Sequence, residues 1–180
     1  MKNNYFIFFL ILIIFSSCEK ENKTLKNEKH LPENILPLSQ EYSWEQSNSD
    51  NDFGEILFVP VYSTIYHQSD RTFDLTATLS IHNVDINSNI TVIKTDYYNT
   101  DGKLMQRFIK DEIVLTPLQS EQFIIKQTDK SGGTAAKFIV QWVSEEQVLK
   151  PIVEAVMIST SSQQGISFKT ESRIISSIGY

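Results

Sequence analysis

The segment FDLTATLSIHN, residues 73 to 83, gives the clearest indication of the fold class. Apolar and polar side chains alternate along it. Leu75, Ala77, Leu79 and Ile81 occupy one parity, and Thr76, Thr78, Ser80 and His82 occupy the other. Successive side chains of a β-strand point to opposite faces, so a period of two residues predicts a strand with one buried face and one face in water.

A hairpin is predicted immediately downstream of this strand. The apolar run ITVIKTDYY at 90 to 98 leads through Asn99-Thr100-Asp101-Gly102 into KLMQRFI at 103 to 109. Asp-Gly between two such runs is a strong hairpin signal, because glycine accepts the positive φ of the turn. We therefore expect the two runs to pair as antiparallel strands.

Short runs rich in valine and isoleucine continue to the end of the chain. They are separated by turn residues and lie at 112–117, 122–127, 137–142, 152–160, 165–169 and 173–178. Many short strands, with no long segment of 3.6-residue period, are typical of an antiparallel sandwich or barrel. We expect an all-β, immunoglobulin-like antiparallel β-sandwich over residues 53 to 180, with Trp142 in its core.

Glu154 is a carboxylate inside the apolar run IVEAVMIST at 152 to 160. We expect it to face outward from a half-buried strand. The alternative is a buried carboxylate with a partner, whose perturbed pKa would make it a functional candidate.

Five segments of this domain resemble a family of bacterial envelope proteins known as domain-of-unknown-function family 3124. They are VPVYSTIYH at 59 to 67, DLTATLSIHN at 74 to 83, DYYNTDGK at 96 to 103, SGGTAAKFIVQW at 131 to 142 and PIVEAVMISTSSQQGISF at 151 to 168. They follow the family's order and cover essentially the whole domain. The resemblance implies an exported, often lipid-anchored protein, and it brings no activity, substrate or catalytic residue.

The N-terminus carries the features of a lipoprotein signal. The apolar run Tyr5 to Phe15 is shorter than the roughly 20 residues that cross a bilayer, and it has the size of a signal-peptide hydrophobic region. Residues 15 to 18, FSSC, resemble the bacterial lipobox, which implies cleavage before Cys18 and a diacylglycerol on its thiol. Two or three acyl chains anchor a protein stably, which one chain does not. The alternative is an ordinary signal peptide that ends near a cysteine by chance.

We therefore expect a signal peptide over residues 1–17 and lipid attachment at Cys18, with the domain facing the periplasm or the cell exterior. Residues 18–52 are polar and charged, and they contain Pro32 and Pro37. They are expected to form a flexible tether that spans on the order of 30 Å. The alternative is an arm that docks on the domain through Leu36, Leu38, Tyr42 and Trp44.

Composition excludes several classes of function. A net charge of −6 offers no basic footprint for nucleic acid. With Cys18 acylated, the mature chain has no thiol for a disulfide, a nucleophile or a metal site. No Gly-x-Ser-x-Gly motif is present, and most carboxylates lie at turns. We expect a protein without enzymatic activity, cofactor or resident metal.

A tyrosine-rich set is the candidate for partner recognition. Tyr62 and Tyr66 share strand parity in VPVYSTIYH, His67 is adjacent, and Tyr97 and Tyr98 end the run at 90–98. Tyrosines on a sheet face with hydroxyls in water suit an envelope protein or a glycan as partner. The competing interpretation is that they pack over the sandwich edge. The rival function is a periplasmic small-molecule or metal carrier that uses His67, His82 or Met157.

Overall fold

A computed structural model describes residues 53–160 and 165–180, and the predicted signal peptide and tether lie outside this part of the chain. Within it the chain forms short β-strands and one 3-10 helix at Gly133–Ala135. The strands are β1 (Phe53–Val61), β2 (Thr64–Gln68), β3 (Arg71–Asp74), β4 (Thr76–His82), β5 (Ile90–Tyr98), β6 (Leu104–Arg107), β7 (Ile113–Leu115), β8 (Ser120–Ile125), β9 (Ala136–Ser144), β10 (Ile152–Ser159), β11 (Ile166–Glu171) and β12 (Arg173–Ile178).

The strands form two antiparallel sheets and a separate hairpin. Sheet I has the order β12-β1-β9-β5, and the other edge of β5 pairs with β6 and with β7. Sheet II has the order β11-β10-β4-β8, and β2 pairs with β3 in a hairpin of its own. The two sheets face each other across one main core, so the predicted all-β antiparallel sandwich is confirmed.

Strand β4 shows how the sequence produces this packing. Ala77, Leu79 and Ile81 are completely buried, while Thr76, Thr78 and His82 are partly exposed on the other face. Burial of a side chain as large as Leu79 or Ile81 contributes about 1.5–3 kcal/mol. The period-two pattern at 73–83 therefore predicts both the strand and its orientation correctly.

The aromatic part of the core lies on sheet I. Trp142 on β9 is completely buried, as expected from the sequence. Phe138, four residues earlier on the same face of the strand, is buried with it. Phe108 follows β6 and packs its ring against Phe138, with ring centroids 5.7 Å apart. The predicted hairpin after residue 90 is confirmed, but its second strand ends at Arg107 because Phe108 turns into the core.

The stretch VPVYSTIYH does not form one strand. Strand β1 ends at Val61, and Ser63 donates its backbone N–H to the carbonyl of Gly133 at 3.2 Å. The Ser63 carbonyl accepts from the N–H of Leu75 at 2.8 Å, so the chain leaves sheet I here and starts the β2–β3 hairpin. The shared parity expected of Tyr62 and Tyr66 is therefore wrong.

The last two strands close one side of the sandwich. Strand β11 is an edge of sheet II and β12 is an edge of sheet I, with Ser172 as the single residue between them. The Ser172 N–H donates to the Val153 carbonyl at 3.1 Å, and the Thr170 hydroxyl donates to the Pro60 carbonyl at 2.5 Å. The Thr170 bond joins β11 of sheet II to β1 of sheet I at this side.

Candidate binding groove

A groove of about 810 Å³ lies on the outer face of sheet II. It is open to solvent and runs over the ends of β4, β8, β10 and β11. Its polar lining includes His82, Ser120, Glu154, Lys169 and Glu171. A cleft of this size is in the range that accommodates a small molecule or a short peptide segment.

Strand register brings these residues together. Ser120 pairs with His82, which in turn pairs with Ile152 on the other side. Glu154 pairs with Glu171 on β11. Outward-facing side chains occur at every second position of a strand, so these polar residues lie on the same face of sheet II.

A charged cluster occupies one side of the groove. The Lys169 ammonium lies 2.9 Å from Glu154 Oε2 and 3.3 Å from Glu171 Oε1. The hydrogen bond to Glu154, followed by that to Glu171, raises the pKa of Lys169 above its ordinary value. Glu154 faces outward, as expected, and the two carboxylates exceed the single ammonium by one negative charge.

His82 and Ser120 form the second polar element. The imidazole Nδ1 and the Ser120 Oγ are 2.7 Å apart. A catalytic serine–histidine pair also needs a carboxylate that orients the ring. The other cross-strand neighbour of His82 is the apolar Ile152.

The rim of the groove is apolar and exposed. Leu118 is 68% exposed and Ile152 is 53% exposed. Leu118 adopts φ 61, a left-handed conformation that a bulky side chain rarely takes. Such a conformation costs on the order of 1–3 kcal/mol, and residues of this kind concentrate at functional sites.

Buried polar residues hold the loops at this end of the groove. The Asn83 amide donates to the carbonyls of Ser88 and Leu115 at 2.9 Å and 3.0 Å. Asp85 Oδ1 accepts from the backbone N–H of Asn87 and Ser88, and Oδ2 accepts from that of Leu149 at 3.0 Å. These backbone hydrogen bonds, the one from Leu149 first, lower the pKa of Asp85.

The tyrosines singled out in the sequence do not form one surface. Tyr97 is buried in the core, where its hydroxyl lies 2.6 Å from the Ser63 hydroxyl and burial raises its pKa. Tyr98 is buried on the opposite face of sheet I, against Ile56 and Ile139. Neither of these two tyrosines presents its ring to a partner in solution.

The first tyrosine segment is divided as well. Tyr62 is half-buried, with its ring 5.9 Å from that of Phe168. Tyr66 and His67 are exposed on the β2–β3 hairpin, where the His67 ring stacks on Phe73 at 4.2 Å. Of the five predicted residues, only Tyr66 and His67 remain accessible for recognition.

The three residues proposed for a carrier do not converge. Met157 is completely buried in the core, His82 is the last residue of β4, and His67 lies on the β2–β3 hairpin that precedes β4. Within residues 53–160 and 165–180, no group of three His, Cys, Asp or Glu side chains could hold a metal ion. In the same ranges, no helix has the length and apolar character needed to cross a membrane.

Sequence reasoning missed Ser120, Lys169 and Glu171 as groove residues. The available signal was the alternation of polar residues along β4. It identifies the outward face of this strand but not the residues that lie beside it on neighbouring strands. The register of β4 with β8 and of β10 with β11 joins residues far apart in the chain, so only the folded structure identifies the complete set.

One comparison with known proteins gives a match. The family model described as "Protein of unknown function (DUF3124)" matches residues 54–175. No curated protein and no solved structure matches the chain. The matched range contains every residue named above for the groove and nearly all of the sandwich, and it begins after Cys18, the predicted anchor.

Proposed function

Since the chain belongs to the DUF3124 family of proteins of unknown function, and its resemblance to that family in sequence is confirmed, we propose a function from the groove itself. The protein is a lipid-anchored bacterial envelope protein without enzymatic activity. Its β-sandwich binds an extended segment of another envelope protein in the groove on sheet II. The segment presents a basic side chain flanked by aliphatic ones.

The observation that carries this proposal is the combination of a charged cluster with an exposed apolar rim. Glu154 and Glu171 leave an excess negative charge that a lysine or arginine of the partner can neutralise. Leu118 and Ile152 offer apolar contacts on the rim. The local cost of the Leu118 conformation is offset if its side chain is buried by the partner.

A polypeptide is favoured over a glycan by the residue types in the groove. Sugar rings are commonly bound on aromatic faces, and the described residues that line this groove include no Phe, Tyr or Trp. Exposed leucine and isoleucine instead match aliphatic side chains. The small-molecule carrier has less support, because the groove is open to solvent.

The predicted lipid attachment at Cys18 is the basis for proposing an envelope location. With a net charge of −6, the protein is not expected to bind anionic lipid electrostatically, so the acyl chains would supply the membrane attachment. An anchored binding domain gains a high local concentration of partners that share the membrane.

Site-specific photo-crosslinking in cells tests the proposal. A photoreactive residue at Ile152 is compared with one at Ile175 on β12, because the two isoleucines are 53% and 52% exposed and only Ile152 lines the groove. We expect a discrete protein adduct at residue 152, with the linked peptide containing a basic residue between aliphatic ones. Equal adducts at both positions, or a linked peptide without a basic residue, would contradict the proposal.

A further inference from the structure

Three loops meet at the end of the sandwich where β1 begins. Residues 83–89 connect β4 to β5, residues 116–119 connect β7 to β8, and residues 145–151 connect β9 to β10. Each of these loops crosses from one sheet to the other. Phe53, the first residue of β1, pairs with Ser144, the last residue of β9, so β1 starts beside these loops.

Each of the three loops presents a large aliphatic side chain to solvent. Ile86, Leu118 and Leu149 are 68%, 68% and 61% exposed. Single exposed apolar residues are common on protein surfaces, whereas several on adjacent loops mark an interaction site. Leu118 also lines the groove, but Ile86 and Leu149 do not. A segment bound in the groove therefore does not account for this apolar end.

Asp85 holds the three loops together. Its backbone carbonyl accepts from the Leu118 N–H at 3.2 Å, and its Oδ2 accepts from the Leu149 N–H at 3.0 Å. Ile86 follows Asp85 directly in the chain. The backbones of all three aliphatic residues thus lie within one hydrogen bond or one peptide bond of Asp85, so the fold itself fixes their neighbouring positions.

Loops at the opposite end of the sandwich have a different composition. The turn between β5 and β6 is NTDGK at 99–103, and the loop after β8 begins with KQTDKSG at 126–132. Neither segment contains a large aliphatic or aromatic residue. Strand pairing places both segments at the end remote from Phe53, because β5 and β8 start beside the apolar loops and run away from them.

The charged residues at the apolar end limit the chemistry of what it contacts. Glu145 and Glu146 are exposed in the loop between β9 and β10. Lys150 in the same loop forms an ion pair with the buried Glu55, which offsets its charge. An apolar surface with acidic neighbours suits a bilayer of zwitterionic lipids, since the acyl chains accept aliphatic side chains and the headgroups carry ammonium groups. Anionic lipids would repel the two carboxylates.

We infer that this end of the sandwich docks on the membrane and inserts Ile86, Leu118 and Leu149 among zwitterionic lipids. The inference rests on the proposed lipid attachment at Cys18. Residues 19–52 join that attachment to the domain at Phe53, so the anchored chain enters the domain at its apolar end, whatever path those residues take. Three aliphatic side chains alone bind a bilayer weakly, and the anchor makes this contact intramolecular, which raises its effective concentration.

Spin labelling of the full-length protein in phosphatidylcholine vesicles tests the inference. Nitroxides are placed at Leu149→Cys and at Ile124→Cys, because the two native side chains are 61% and 56% exposed and Ile124 lies near the far end of β8. We expect the ratio of oxygen accessibility to nickel-chelate accessibility to be severalfold higher at residue 149. Ile86→Cys should give the same result as Leu149→Cys, so the test does not depend on the folding of one variant.

Two controls accompany this measurement. The unsubstituted protein has Cys18 as its only cysteine, and it should take up no label if that thiol is acylated. Vesicles that contain phosphatidylglycerol should lower the accessibility ratio at residue 149, because Glu145 and Glu146 are repelled by the anionic surface.

Every other outcome would overturn the inference. Equal ratios at residues 149 and 124, with no label on the unsubstituted protein, would contradict membrane docking and leave the anchor intact. Labelling at Cys18 would contradict the anchor itself, and the inference would fail with it. Spin–spin broadening at residue 149 that is lost on dilution in lipid would identify a second copy of the chain as the occupant. Protection of residue 149 that requires added membrane proteins would identify a protein partner.

Discussion

At the scale of single residues, Leu118 is a position where a substitution is expected to affect folding and binding in different ways. It occupies a left-handed position, φ 61, at which glycine would relieve strain, and its exposed side chain contributes little to the core. The turn that holds it is fixed by its N–H, which donates to the Asp85 carbonyl at 3.2 Å. Because the Leu118 side chain lowers the stability of the fold and is exposed at the groove, a mutation at this position is especially informative.

The substitution Leu118→Gly is expected to have opposite effects on stability and binding. The free energy of unfolding should stay unchanged or rise by up to about 1 kcal/mol, because glycine adopts the conformation without strain. Crosslinking from residue 152 should fall severalfold, because part of the apolar rim is lost. Denaturant unfolding and adduct yield check the two effects, and a loss of stability without a loss of adduct would assign Leu118 a purely structural role.

Asp85 makes the free energy of unfolding depend on pH in the acid range. Its pKa is lowered in the folded protein by the backbone N–H groups of Leu149, Asn87 and Ser88. A lowered folded-state pKa means that this stabilisation is complete above the pKa of the unfolded chain, about 3.9 for an ordinary aspartate, and is lost as pH falls through the folded value. Asp85→Asn should lower stability at neutral pH, and its difference from the wild type should narrow in acid.

Thermal unfolding of the two proteins at several pH values measures this difference. Asp101→Asn, at an exposed turn residue, is the matched control and should leave the unfolding temperature nearly unchanged. A difference between wild type and Asp85→Asn that stays constant down to strongly acid pH would show that the carboxylate charge does not stabilise the loops.

At the scale of elements, the strands were predictable and their junctions were not. The alternation at 73–83 predicts β4 and its buried face because the period of a strand is local information. The break between Val61 and Thr64 was not predictable, because it depends on hydrogen bonds from Ser63 to Gly133 and to Tyr97, which lie far away in the chain. The burial of Tyr97 has the same origin.

The groove was only partly predictable for the same reason. The polar parity of His82 and the outward orientation of Glu154 follow from the sequence of single strands. Their placement beside Ser120, Lys169 and Glu171 follows from the pairing order of sheet II, which a single sequence does not encode locally. The candidate tyrosines were selected by residue type, and type alone does not distinguish a buried ring from an exposed one.

A substitution at Gly132 tests the packing of the loop before β9 against Tyr97 on β5. A methyl group on Gly132 would overlap the Tyr97 hydroxyl and crowd the Ser63 hydroxyl. Gly132→Ala should therefore destabilise the domain by about 1–3 kcal/mol through overpacking. Gly165→Ala is the control, since its added methyl would meet the Ser159 carbonyl at an ordinary 3.6 Å. Equal unfolding midpoints for the two variants would contradict the described packing.

At the scale of the whole molecule, the proposed arrangement combines a lipid anchor at Cys18 with an open groove on sheet II. The N-terminal cysteine would attach the chain to a membrane, and sheet II would stay accessible to partners. The sandwich itself carries the family match, and Cys18, the predicted anchor, lies outside the matched range. The anchor and the groove are separate proposals and can fail independently.

The anchor is tested by Cys18→Ser. Without a thiol to acylate, the protein should move from the membrane fraction to the soluble envelope fraction, because no second acylation site is present among the cysteines. Mass spectrometry of the wild-type N-terminus should find Cys18 as the first residue with the added mass of acyl chains. An unmodified Cys18 within a longer mature chain would contradict the lipoprotein prediction.

Charge reversal at the groove, measured by the yield of the adduct at residue 152, tests whether the groove binds a basic segment. Glu171→Lys changes the excess charge beside Lys169 from negative to positive, and Glu112→Lys makes the same change at an exposed residue elsewhere. A groove that binds a basic aliphatic segment predicts a severalfold loss of adduct for Glu171→Lys and no loss for Glu112→Lys. An equal yield in both variants would show that the groove does not recognise its partner through these charges and would contradict the proposed function.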